Sequence, residues 1–353
     1  MKKIILSLTL AIVAVINATA QVKVEVSETV ELMAILSRTA GFEEYNLDVA
    51  GQYSKDTEEY FASYRQHPII AYYQDLRAKY GIGFEKVMNM AIHLDIHNGN
   101  VIFLGEKSDL MVNWKDVDIN DFMKRLNKFY KDTHFHEFFE QHQPFYEEYT
   151  RNYEAGVMSS FHPEWFSRFY YGTEPTEPFH VIICFTYGRN NNGTWRNLPG
   201  KGRELFAIMG YFFDSSRGRP RYDASLLWHE ANHPFVNPLL DNEENARLME
   251  NIGQKLLSLS QTTMQQLNYN DWHIVINESI VRAAAIIYAQ DAGIKPEVVK
   301  ALMDMEVKNN GFPWMPQLVA ALRDYAAHRT QYKTFADYYP EIVRCLAKYI
   351  EDN

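Results

Sequence analysis

The run His229-Glu230-Ala231-Asn232-His233 restricts this chain more than any other feature. Asp223 is a candidate helix N-cap and Ala224 to His233 is helix-compatible, which places the two imidazoles one turn apart on a common face. Side chains so placed can reach one zinc ion. Glu230, about 100° round the helix from His229, flanks the open coordination position instead of binding the metal.

A catalytic zinc requires a third protein ligand and a water. Glu278 is the downstream candidate. It lies in Trp272 to Gln290, where Ile274, Val275, Ile276, Ile280 and Val281 surround it, and a carboxylate in such a setting must be paired or metal-bound. Arg282, one turn further on, is placed to orient that carboxylate. The plainer alternative is an intrahelical Glu278–Arg282 ion pair on a solvated face, which contributes only about 0.3 to 0.5 kcal/mol. An oxyanion formed during hydrolysis also requires a donor, and His273, Tyr269 and Tyr288 lie close to Glu278 in sequence. Two other histidine groups compete as metal sites: His93 with His97 around Asp95, and His134, His136 and His142 with Glu137. Neither has an evident third ligand on a second element beside a water-activating carboxylate.

The organisation of the chain predicts an α+β protein, predominantly α. Lys2 and Lys3 precede an apolar stretch from Ile4 to Ile16 and the small triplet Ala18-Thr19-Ala20, which reads as a signal peptide over residues 1–20 and an exported product, periplasmic or secreted. The stretch is short of the roughly 20 residues that cross a bilayer, and no later segment is apolar enough, so no membrane span is expected in the mature chain. Residues 21–177 carry helical spacing in Val30, Leu32, Met33 and Leu36, and again in Ile69, Tyr72, Tyr73 and Leu76. Asn98-Gly99-Asn100 marks either a small hairpin or a loop.

The Pro-bearing connector from Gly172 to Pro178 is the best candidate boundary before a second region, 178–353. There, Phe179 to Tyr187 and Glu204 to Phe213 have strand character. Gly188 to Gly202 reads as a long polar loop, and the remainder from Asp223 is again helical. The formal charge of −10, which loss of Lys2 and Lys3 makes more negative, argues against nucleic acid as a partner. Cys184 and Cys345 are too few for a disulfide framework and could be joined or free. Oligomeric state is not legible.

His229-Glu230-x-x-His233 followed by Asn277-Glu278-x-x-x-Arg282 resembles the gluzincin branch of the zincin metallopeptidases over roughly residues 179 to 290. His-Pro-Phe-Val-Asn-Pro, 233 to 238, looks like the corresponding run of an uncharacterised family of exported bacterial proteins with a zincin-type motif. The resemblance implies a zincin-like catalytic core, a small sheet against the motif helix, and a peptide or protein substrate lying antiparallel to the edge strand. Glu204 to Phe213, nearest upstream of the motif, is the nominated edge. It further implies zinc held by His229, His233 and Glu278, with Glu230 as general base. A zinc hydrolase of a non-peptide substrate and a silent binding protein that keeps the motif are the competing readings. One departure is Pro234, directly after the second histidine, where the helix is expected to stop or bend. Asn237-Pro238 is then expected to begin a turn, with Asn237 bracing the active-site loop.

Overall fold

The computed structural model describes residues 22–353, so the expected signal peptide over residues 1–20 lies outside the described residues. Helices make up 64% of the structure and the strands are few, which gives an α+β fold that is predominantly α. Helix starts are set by side-chain caps: Ser27 accepts from the Val30 N–H, Asp223 from Ser225 and Asp271 from His273. No helix among the described residues is long and apolar enough to cross a membrane.

The main sheet contains β1 (Val24–Val26), β4 (Phe179–Ile183), β5 (Asn191–Leu198) and β6 (Gly202–Met209), in the order β1-β4-β6-β5. β1 and β4 are parallel, as are β4 and β6, while β5 runs antiparallel to β6. Strands from both sides of the 172–178 connector therefore share one sheet. The carboxylate of Glu31, on the helix Glu28–Thr39, reinforces the join by accepting from the Phe185 N–H, the Thr186 hydroxyl (2.8 Å) and the Tyr53 hydroxyl (3.0 Å). The N-terminal half is helical as its periodicity requires, and its aromatic side chains, Tyr53, Phe138, Phe145 and Tyr146 among them, pack against one another and Phe185. Asn98-Gly99 forms a hairpin between β2 (Leu94–His97) and β3 (Asn100–Phe103), with φ of 50° and 70° at the two turn residues. Both cysteines are free.

Two expectations require correction. The stretch 188–202 is not a loop throughout: it contains β5, and the edges of the sheet are β5 and β1, not the nominated Glu204 to Phe213 segment. β6 is paired on both sides. The polar composition of β5 conceals a strand whose pairing comes from its partner, since Arg196 lies directly opposite Glu204 and their side chains meet at 2.6 Å.

The second correction concerns Pro234. The motif helix does not end there but runs from Ala224 to Asp241 with Pro234 and Pro238 inside it. The two rings remove the N–H groups that would serve the carbonyls of Glu230 and Pro234. The Pro234 carbonyl accepts instead from the Arg203 guanidinium, reaching across from β6. The Glu230 carbonyl faces β5 at Gly193, where an added Cβ would lie 1.8 Å from the Glu230 oxygen and 2.8 Å from the His233 Cβ. A strand glycine here permits a backbone approach that no other residue allows. Asn237 accordingly lies within the helix and not in a turn.

Gly193→Ala is therefore expected to lower stability by roughly 1–3 kcal/mol through overpacking, read as a shift of the urea midpoint. Acid should also weaken the fold, because burial, only partly offset by the hydrogen bond to Asn89, pushes His93 below its ordinary value of 6.5. Burial likewise lowers His180. Below that ordinary value the unfolded chain binds protons that the folded chain refuses, so the stability contributed above it is lost as pH falls. The urea midpoint should drop between about pH 7 and about pH 5, and less steeply in His93→Asn.

Candidate functional site

The motif helix and the helix Trp272–Asp291 pack side by side and bring His229, His233 and Glu278 together. The two Nε2 atoms are 3.2 Å apart. His229 Nε2 lies 3.6 Å from Glu278 Oε2, and His233 Nε2 lies 3.6 Å from Glu278 Oε1. Zinc bonds of about 2.0–2.2 Å at tetrahedral angles separate ligand atoms by roughly 3.3–3.6 Å, which the two Nε2 atoms approach, and one atom from each of the three side chains lies within 4.8 Å of the others, so the N, N, O donor set can gather around one such ion. Among the described residues this is the one His/Cys/Asp/Glu group of three or more with its ligand atoms close enough to share a metal.

The surroundings fix the state of each donor. Asn237 Oδ1 lies 3.1 Å from His233 Nδ1, and as an acceptor it requires the proton there, which turns a bare Nε2 towards the cluster. Burial, assisted by Arg282 and His233 against Glu278, pushes His229 down to about 3, so the ring is neutral. Burial opposes charge on Glu278 as well, but Arg282, His229, His233 and Tyr269 outweigh it and hold the carboxyl at about 2. Glu230 is pushed the other way, up to about 7, chiefly by burial and secondarily by Glu278, against the lowering effect of His233 and the Gly193 backbone. Its Oε2 is 3.8 Å from His233 Nε2, beside the cluster and not among the grouped ligand atoms.

Arg282 does pair with Glu278 one turn away, at 2.9 Å, but the pair is not on a solvated face. Glu278 is buried and Arg282 half-buried, and Arg282 also donates to Glu306 at 2.9 and 3.2 Å and to the Tyr269 hydroxyl at 3.1 Å. Asn310 donates to Glu306 in turn (2.9 Å). These groups line a cleft of about 710 Å³, shared with Phe84 and Lys86 from the helix Phe84–Ile92 and with Asn191 and Asn192 of β5.

Of the three nominated oxyanion donors, only Tyr269 is in this cleft. His273 is exposed, stacked on Trp272 and bonded to Asp271 at 2.7 Å. The Tyr288 hydroxyl is consumed elsewhere, donating to the Ser160 carbonyl (2.8 Å) and accepting from the His162 N–H (2.6 Å). The rival histidines also disperse. His93 is buried against the Asn89 carbonyl while His97 sits on exposed β2, and His134, His136 and His142 face Glu137, Glu28 and Asp56 separately.

Sequence reasoning missed Gly193, Glu306 and Asn310. For Gly193 a signal existed, a glycine amid residues able to form a strand. Glu306, between Met305 and Val307, carried only a weak one.

Arg282→Met strips two buried carboxylates of their shared counter-ion and is expected to destabilise the fold by roughly 3–5 kcal/mol. Adding Glu306→Gln should recover part of that loss, measured as a thermodynamic coupling in urea.

No curated protein and no solved structure matches the chain. Residues 22–345 match DUF4932, described as a domain of unknown function, and the chain belongs to that family.

Proposed function

We propose that this protein is an exported zinc-dependent metallopeptidase that hydrolyses peptide bonds with Glu230 as general base. The observation that carries the reading is the convergence of His229, His233 and Glu278, with one ligand atom from each within 4.8 Å of the others and Glu230 beside them in one cleft. Gluzincin-type chemistry uses this donor set. Export rests on the N-terminal sequence from Lys2 to Ala20.

Zinc, when bound by His229, His233 and Glu278, supplies Lewis acidity towards the scissile carbonyl and lowers the pKa of water to about 7. Without the metal, burial pushes Glu230 up to about 7, and the charge of a bound zinc would favour its carboxylate form. Its carboxylate can take the proton of the attacking water and its acid form can return that proton to the leaving amine. Asn237 fixes the His233 tautomer, and Arg282 engages Glu278 Oε2 while leaving Oε1 towards His233. The Tyr269 phenol, kept protonated by burial and by neighbouring Glu278 with which it shares a hydrogen bond, would have to turn from Glu278 to donate to a developing oxyanion.

A chelator-sensitive assay on a mixed peptide library, paired with measured zinc content, tests the assignment. Glu230→Gln should retain zinc and lose about 10²–10⁴-fold in turnover. His229→Ala should lose both, and wild-type zinc stoichiometry in His229→Ala would sink the assignment.

A further inference from the structure

Charged side chains along the cleft are occupied within its own walls. Lys86 is paired with Glu85, and Arg282 is divided among Glu278, Glu306 and Tyr269. Asn268 is exposed there, and Asn192 Nδ2 and Asn277 Oδ1 line the cleft without hydrogen-bond partners, but the large side chains exposed along it are apolar. Phe84, Ile274 and Met305 are 43%, 40% and 50% exposed and all line this one cleft, with half-buried Leu267 and Leu302 beside them. They come from three helices, so periodicity within any one of them does not explain why all three line the same cleft.

Phe84 is held there against its backbone preference. Its φ is 45°, in the left-handed region that costs a side-chain-bearing residue roughly 1–2 kcal/mol. Both of its peptide groups are clamped: the N–H donates to Glu44 Oε1 (3.2 Å) and the carbonyl accepts from the Tyr45 hydroxyl (2.9 Å). Glu44 is itself fixed by two bonds from Arg77, at 2.6 and 3.0 Å. Glycine would satisfy this turn without strain, so the backbone gives no reason for a phenyl ring. Strain of this kind persists where the surroundings over-determine it, and it concentrates at ligand sites.

We propose that Phe84, with Ile274 and Met305, grips a bulky apolar side chain of the peptide substrate, making Phe84 a specificity-determining residue. The inference rests on the cleft being a peptide site, and it is tested by binding so that it can fail separately from hydrolysis. The zinc-loaded full chain carrying Glu230→Gln is titrated, by fluorescence anisotropy, with short labelled peptides that differ at one position, Leu or Phe against Asp or Lys. Apolar peptides are expected to bind about tenfold or more tightly than charged ones. Phe84→Gly should abolish that preference while its thermal midpoint holds or rises, the reverse of what loss of a structural side chain does. Met305→Asp, at an exposed position that tolerates substitution, should reduce the preference in the same assay.

Equal binding of apolar and charged peptides, no peptide binding, or a preference untouched in both variants overturns the proposal. An apolar preference that depends on Phe84, in a wild-type protein that cleaves no peptide, removes the peptidase reading and leaves this inference standing.

Discussion

Glu278 is buried and charged, and much of the C-terminal half is arranged to permit it. An ionised carboxylate taken out of water without partners is too costly for a fold of ordinary stability. Its counter-ion is Arg282 on its own helix, and the imidazoles of His229 and His233 stand 3.6 Å away on the motif helix. Arg282 then needs a second anion, which Glu306 supplies from the helix Pro296–Lys308. Three helices are thereby locked in register by one polar chain. Apolar packing alone tolerates sliding between helices, whereas a buried ion network with specific donors does not.

The other side of the cleft is set by backbone proximity. Proline at 234 and 238 leaves two carbonyls without helical donors, and the sheet meets both, with Arg203 at one and the close approach of Gly193 at the other. The motif helix can therefore remain straight enough to carry Asn237 one turn beyond His233, where its side chain orients the imidazole. Had the helix broken at Pro234, that contact would not exist. The prolines and the edge strand are thus two halves of one arrangement.

What the sequence discloses follows from how local each signal is. His229, Glu230 and His233 are legible because four-residue spacing on a helix is a local rule, and Glu278 because a carboxylate amid Ile276 and Ile280 is anomalous in itself. β5 is hidden because Asn191 to Leu198 becomes a strand through pairing with β6, a long-range cause that leaves no apolar alternation. Pro234 misleads for the same reason, since the carbonyl it frees, that of Glu230, faces Gly193 of β5, and the carbonyl of Pro234 itself, freed by Pro238, is met from 31 positions away by Arg203. Tyr288 and Tyr269 differ in the contacts of their hydroxyls, which spacing cannot report.

The N-terminal half is more than a cover. β1 completes the sheet, Glu31 ties the first helix to the Phe185-Thr186 turn, and the Glu44, Tyr45 and Arg77 cluster holds Phe84 at the cleft. The residues placed to bind metal all lie between His229 and Glu278, yet the opposing wall is drawn from residues before Asn192. This division lies within a family match that extends from residue 22 to residue 345. It also separates two physical tasks. Position and charge at Glu278 depend on the ion network of the C-terminal helices. The shape presented to a substrate depends on a strained phenylalanine anchored through hydrogen bonds that touch none of those ligands, so changes at Phe84 can alter selection without disturbing the groups that would hold the metal.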